Sequence, residues 1–364
     1  MNILQITTES RVAGAERVVA SLSRGLRERG HRVTVVSLMP LPQDEAETII
    51  PALRAAGVDI VSLGITKFTP WKVWGLKKIV ADFKPDVIHS HLIHANIAAR
   101  LFTGRPSAPL INTVHIAESR PTAWWRFWLD KVTLKRCAVQ TAVSKSVADF
   151  HARKLGVDPE TMPVITNGIS QPAKCSPTRI AELHREWEVA DCAKVIGSVG
   201  RLHAQKGYDR LLKALPDVGK IIPDGDTWGI VILGEGPQRA ALESLAERAP
   251  GNVRVRLPGF RDDAADCAGA FDLFVMPSRY EGFGLTLAEA MAHGVPILAS
   301  DLDVLREVAD GYPSIVFTDF TFPTGLVEEI IDGPGLNQRS PFAPFSTDQM
   351  TESYETLYQK HLSF

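Results

Sequence analysis

Residues 278–300 read Ser278-Arg-Tyr-Glu-Gly-Phe-Gly-Leu-Thr-Leu-Ala-Glu-Ala-Met-Ala-His-Gly-Val-Pro-Ile-Leu-Ala-Ser300, and their punctuation decides the fold. The apolar run Leu273-Phe-Val-Met276 before them has the length and composition of a buried strand. Gly282 and Gly284 then introduce a helical pattern from Leu285 to about His293. Gly294 and Pro296 stop that helix, and Ile297-Leu-Ala299 begins the next strand. A Gly-rich turn of this kind presents backbone N–H groups at the positive end of a helix, which suits a phosphate. Glu281 and Glu289 bracket the turn. Carboxylates repel phosphate but accept hydrogen bonds from sugar hydroxyls. Glycines for a phosphate and carboxylates for hydroxyls describe a nucleotide-sugar site; an ordinary crossover with a solvated Glu is the plainer reading of Gly-x-Gly alone.

Working outward, 364 residues suit two domains, each able to bury a core. A net charge of −2 argues against a general nucleic-acid binder. Cys137, Cys175, Cys192 and Cys267 show neither C-x-x-C nor zinc spacing, as expected of reduced thiols in a cytosolic protein. The start, Met1-Asn-Ile-Leu-Gln-Ile-Thr7, lacks the basic region of a signal peptide, and no apolar run reaches spanning length. The expected location is cytoplasmic, or the inner face of the cell membrane.

The amino-terminal half alternates strands and helices. Strands are expected at 2–7, 32–38, 59–63, 85–89, 110–114, 140–143 and 163–165, and helices at 15–29, 71–83, 95–102 and from Ser144. Such alternation implies a parallel sheet covered on both faces, with ligands beyond the carboxyl ends of its strands. His89-Ser-His91-Leu-Ile-His94 is a poor metal motif, lacking further ligands at suitable spacing, and is expected to line a cleft from a strand end. His115 follows the strand Ile111–Val114 and should project into the crevice. The helix 121–136 carries Trp124, Trp125, Phe127 and Trp128 with Arg126, Lys131, Lys135 and Arg136. Core or cleft lining is the expectation for its aromatic residues, with peripheral membrane contact near Trp124–Arg136 as the alternative. The linker is expected at Ser170–Ser176.

In the second half, Arg201 and Lys206 flank a strand-to-helix loop and can converge on one site, where two cations would neutralise a diphosphate. The strands Trp228–Leu233 and Val253–Leu257 end at Gly234-Glu-Gly236 and Gly259-Phe260-Arg261. Asp301-Leu-Asp303 and Asp224-Gly-Asp226 are short patterns of a kind that arises by chance, and no metal is assigned to them.

The segment Glu281–Ser300, continuing through Asp301 to Arg306-Glu-Val308, resembles the two-glutamate signature of the retaining GT-B glycosyltransferases of family 4. Arg201…Lys206-Gly207 is similar to the donor-domain element of that family. Ala13-Gly14-Ala15-Glu16 resembles its Gly-Gly-x-Glu turn with the first glycine replaced, and Thr113-Val-His115 matches its strand-end histidine. The resemblance implies an α/β GT-B fold: two doubly wound Rossmann-like domains facing across a cleft, at 1–170 (acceptor side) and 178–340 (donor-binding). The last segment, 346–364, would form a helix returning to the first domain. It implies a hexosyltransferase moving sugar from a nucleoside diphosphate sugar to a saccharide or lipid-linked acceptor, in bacterial polysaccharide or glycolipid synthesis. His115, Glu281, Arg201 and Lys206 would be the catalytic set. Gly14, Gly236, Phe260, Arg261, Gly282, Phe283, Gly284, Leu285, Thr286 and Glu289 would contact the donor. No cofactor or metal is expected, because cations and amides carry the charge. A non-catalytic sugar-nucleotide binder and an epimerase or phosphorylase of similar build are the alternatives. A dinucleotide oxidoreductase is disfavoured, since no G-x-G-x-x-G follows the first strand.

Overall fold

The computed structural model describes residues 1–104, 107–117, 124–321 and 339–362. The chain divides into two compact units, Met1–Gly168 with Phe345–Phe364, and Ile169–Pro344.

In the first unit the strands are β1 (Asn2–Thr7), β2 (Arg32–Ser37), β3 (Asp59–Ser62), β4 (Val87–His91), β5 (Leu110–Val114) and β6 (Val139–Ala142). Helices α1 (Gly14–Glu28), α2 (Ile50–Ala55), α3 (Gly75–Phe83), α4 (Ile93–Phe102), α5 (Trp124–Thr133) and α6 (Lys145–Leu155) connect them. All strand pairs are parallel, in the order β3-β2-β1-β4-β5-β6. The near-continuous burial of these strands is what a sheet covered on both faces demands.

The second unit repeats the plan with β7 (Lys194–Val199), β8 (Trp228–Leu233), β9 (Val253–Gly259), β10 (Leu273–Met276), β11 (Ile297–Ser300) and β12 (Ile315–Thr318). Its helices are α7 (Pro177–Glu186), α8 (Tyr208–Lys213), α9 (Leu215–Ile221), α10 (Arg239–Ala246), α11 (Ala264–Cys267), α12 (Leu285–Ala292) and α13 (Asp303–Val308). The order is β12-β11-β10-β7-β8-β9. Each sheet therefore reverses its winding once, between β1 and β4 and between β7 and β10, where strand ends splay into a ligand crevice.

The final helix, α14 (Thr347–Leu362), packs back on the first unit as expected. Gly25 of α1 makes the close approach possible, since a Cβ there would lie 2.4 Å from Thr351 Oγ1. Glu355 then accepts from Arg29 at 3.0 Å and lies 2.8 Å from His31 Nε2.

Three local expectations are corrected. Strand β4 lies at 87–91 rather than 85–89, because its register pairs Val87 with Ile3 and His89 with Gln5. His89 and His91 are consequently interior strand residues, fully buried, and do not line a cleft. Residues 163–165 form only a bridge, Ala142 to Val164. Within the helix read at 121–136, residues 121–123 lie outside the described set, and the aromatic core expectation fails. Trp124 is 71% exposed and Trp128 57%. The helix instead turns Asp130 and Thr133 inward, where Arg100 pairs with Asp130 and His151 Nε2 lies 2.6 Å from its other oxygen. Burial alone would raise the Asp130 carboxyl; the His151 hydrogen bond and the Arg100 charge outweigh it and hold it below the usual range.

Candidate active site

A convergence of polar groups lies where β7 and β10 adjoin, in register Leu273↔Ile196 and Phe274↔Gly197. Two loops leave those strand ends, 200–207 and 277–284, and backbone demands lock them together. Gly207, at φ +69°, sits so close to Pro277 that a Cβ would lie 2.0 Å from its carbonyl oxygen. The Arg279 N–H donates to the Gln205 carbonyl at 2.7 Å, and Gln205 Nε2 donates to the Tyr280 carbonyl at 3.1 Å. Arg279 also grips Asp209 with two bonds of 2.8 Å. The guanidinium pulls the Asp209 carboxyl down to about 2.

That stitching carries Lys206 to Glu281: Nζ lies 2.7 Å from Oε1, which also accepts from Ser278 Oγ at 2.8 Å. Glu281, just before the head of α12, is only 6% exposed, and Glu289, the fifth residue of that helix, is 3% exposed. Gly284, at φ +89°, turns the chain into that helix, and no side chain caps it. A Cβ on Gly284 would stand 2.9 Å from Leu305, so the turn needs glycine for space as well as for its dihedral angle. Gly282, Phe283 and Gly284 are buried, while Leu285 and Thr286 are half-buried on the first turn. The helix end thus offers a partial positive charge close in sequence to the Lys206–Glu281 pair.

The other expected residues are disposed differently. Arg201 is exposed, with no side-chain hydrogen bond or ion pair among the described residues. Lys206 is held by Glu281. Gly236 answers to the chain's own backbone: a Cβ would lie 2.5 Å from the Leu202 carbonyl oxygen. Arg261 is committed to Asp263, at 2.7 and 3.0 Å, and to Glu186. Phe260 is half-exposed at the end of β9.

Gly14 and His115 belong to the first unit. Gly14 opens α1, whose preceding residue Ala13 supplies no side-chain cap. His115, 8% exposed at the end of β5, has Nε2 3.0 Å from His91 Nδ1. Its Nδ1 is buried without a partner. Burial drives its pKa down to about 3, so the ring is neutral at physiological pH. Ser278, Gln205, Asp209 and Arg279 were missed by sequence reading. Ser278, adjoining the glycine turn, was the one with a local signal.

The Glycosyltransferase Family 4 model matches residues 12–171, and the Glycosyl transferases group 1 model matches residues 193–332. The chain is 32% identical over 200 residues to the lipopolysaccharide core biosynthesis mannosyltransferase LpsB of Rhizobium meliloti, covering 54% of this chain and 53% of that one. It is 27% identical to the phosphatidyl-myo-inositol mannosyltransferase of Mycobacterium leprae, covering 81% and 76%. Its fold matches Anabaena HepE, solved in complex with UDP and glucose, at a TM-score of 0.80 with 20% identity over 98% and 99% of the two chains. Sucrose-phosphate synthase of Thermosynechococcus elongatus superposes over both full lengths at a TM-score of 0.78 with 17% identity. Matched in both halves, the chain belongs to the family 4 and group 1 glycosyltransferases, built on the GT-B fold.

Proposed function

We propose that the protein is a retaining hexosyltransferase that moves a sugar from UDP- or GDP-sugar to an acceptor hydroxyl. The observation carrying this is the pair formed by half-buried Lys206 and buried Glu281 beside the uncapped head of α12, at the reversal point of the second sheet. The costly step is charge accumulating on the departing diphosphate. Lys206, Arg201 and the amides near Gly284, Leu285 and Thr286 stabilise it, so the mechanism assigns that work to protein groups and none to a metal. Glu281 accepts from hydroxyls of the transferred sugar, and Glu289 accepts from the ribose. As the donor enters, Lys206 shifts part of its charge from Glu281 to phosphate, freeing carboxylate lone pairs for the sugar. Gly236, Phe260 and Arg261 flank the base, with Arg261 acting through backbone position because its guanidinium is already paired. His115 and Gly14 serve the donor from the acceptor-side unit, and the leaving phosphate takes the proton of the incoming hydroxyl.

The two mannosyltransferase relatives support a role in cell-surface glycolipid or polysaccharide synthesis at the inner face of the membrane. The exposed Trp124, Trp125, Trp128 and Val132, with Lys131, Lys135 and Arg136, favour peripheral membrane contact during that work. Among the described residues no helix is long and apolar enough to cross a membrane. A thermal-shift screen of UDP-, GDP- and ADP-sugars tests the donor, since a ligand at 100 times its Kd stabilises the fold by about 2.7 kcal/mol. Sugar transfer from the stabilising donor, lost in Glu281→Ala with the fold intact, would establish the activity. A stabilising donor with no transfer to any saccharide or lipid acceptor would leave only a binding protein.

A further inference from the structure

A layer of buried polar side chains lies on the first sheet, in contact with α14. It comprises Gln5 on β1, His89 and His91 on β4, Thr113 on β5, Thr141 on β6, and Tyr354 and Tyr358 on α14. His115 joins it at one end. Burial lowers the pKa of all three imidazoles, so each ring is neutral and carries one N–H. Where two such rings meet nitrogen to nitrogen, one must donate and the other accept.

The interior amide sets the direction. In the orientation that places Gln5 Oε1 2.6 Å from His91 Nε2, and leaves Gln5 Nε2 buried without a partner, the oxygen can only accept, so this His91 nitrogen holds the proton. His91 Nδ1 is then bare. His115 Nε2, 3.0 Å away, must donate to it. The His115 proton is thereby spent, and its Nδ1 is left as a lone pair, buried and without a partner in the protein. His89 does not compete, being held by the Tyr358 hydroxyl at 2.6 Å and Thr113 Oγ1 at 2.7 Å. Buried acceptors are rarely left unsatisfied without a functional reason.

We propose that Gln5 and His91 are positioning residues that hold His115 as its Nε2–H tautomer, so that Nδ1 accepts a hydrogen bond from a hydroxyl of the transferred sugar. His115 thus discriminates as an acceptor: it takes a sugar O–H and offers no proton to a ring oxygen or a phosphate. This rests on the transferase reading above for the identity of the ligand, whereas the tautomer itself does not.

The test uses the full chain labelled with 15N in its histidine rings, at neutral pH and without ligand. The His115 signals are identified by their loss in His115→Asn. The expected long-range 1H–15N pattern is a protonated Nε2 and a bare Nδ1 for both His115 and His91. A protonated His115 Nδ1, or rapid exchange between both forms, would overturn the proposal. Gln5→Leu removes the interior acceptor and is expected to mix the His115 tautomers; an unchanged pattern in a folded Gln5→Leu would remove the positioning role. Should that variant not fold, the wild-type spectrum still decides. Titration with UDP-glucose or GDP-mannose should then move His115 Nδ1 in the direction of hydrogen-bond acceptance. Gln5→Leu should weaken that binding about 2- to 10-fold, the effect of one neutral hydrogen bond. A bound sugar nucleotide that leaves Nδ1 unmoved sinks the ligand half. Failure of every sugar nucleotide to bind, with the tautomer as expected, counts against the transferase reading instead.

Discussion

Lys206 and Glu281 are 75 residues apart in the chain and 2.7 Å apart in the fold. Their types and their places in two motifs were legible in the sequence, but their pairing was not. Arg201, only five residues from Lys206, was read as its companion at a diphosphate, and nothing local pointed the ammonium to Glu281. The pairing arises from Gly207 against Pro277 and from Arg279 on Asp209, contacts between loops that only the sheet order brings together. Breaking one half of a buried pair strands the other charge, whereas replacing both by apolar groups is often neutral. Lys206→Ala should therefore lower both stability and sugar transfer, the latter by roughly 100- to 1000-fold. Lys206→Met/Glu281→Leu should regain most of the stability and none of the activity. Urea denaturation beside a transfer assay checks this. A double variant as active as the wild type would show the pair to be merely structural.

At the scale of elements, α5 shows where periodicity misleads. Its indoles suggested a core helix, yet the inward face is polar, because Arg100 on α4 already occupies the interior and needs Asp130. Arg100 also donates to Asn112 at 2.6 Å and Gln140 at 2.9 Å, so three elements share one buried guanidinium. Hydropathy alone carries no record of such a long-range network. Asp130→Ala should cost about 3–5 kcal/mol, measured by chemical denaturation. Trp124→Ala/Trp128→Ala should leave stability within about 0.5 kcal/mol and weaken flotation with anionic vesicles. Equal flotation of both proteins would exclude this face from membrane contact. The buried histidine layer sets a pH dependence of definite sign. His89, His91 and His115 have folded pKa values below the ordinary imidazole value of about 6.5. The unfolded chain takes up those protons first. Stability is therefore full above about pH 6.5 and falls as pH drops, by about 1.4 kcal/mol per unit for each ring within its window. For His115 the window extends down to about 3. Asp209 and Asp263, held at about 2, lose their contributions only below about pH 4, so they join the histidine effect only at the acid end of its window. Unfolding free energies that stay flat from about pH 7 to pH 5.5 would contradict this.

For the molecule as a whole, alternation of strands and helices was enough to read two parallel α/β units, and the glycine–glutamate segment marked the loop on which the proposed site of the second one rests. The return of α14 came from resemblance rather than from periodicity, since Met350, Tyr354 and Tyr358 make an amphipathic stripe without saying which unit it covers. The polar layer beneath it was invisible because Gln5, His89 and His115 come from three separate strands. On the proposed function, the loops after β7 and β10 hold the diphosphate of a sugar nucleotide. Calorimetry with UDP, UDP-glucose, GDP-mannose and ADP-glucose, on wild type and Lys206→Ala, tests it most directly. At least one of these should bind the wild type and be weakened at least about 10-fold, or about 1.4 kcal/mol, by the substitution. Heat from none of them, or an affinity indifferent to Lys206, would contradict it.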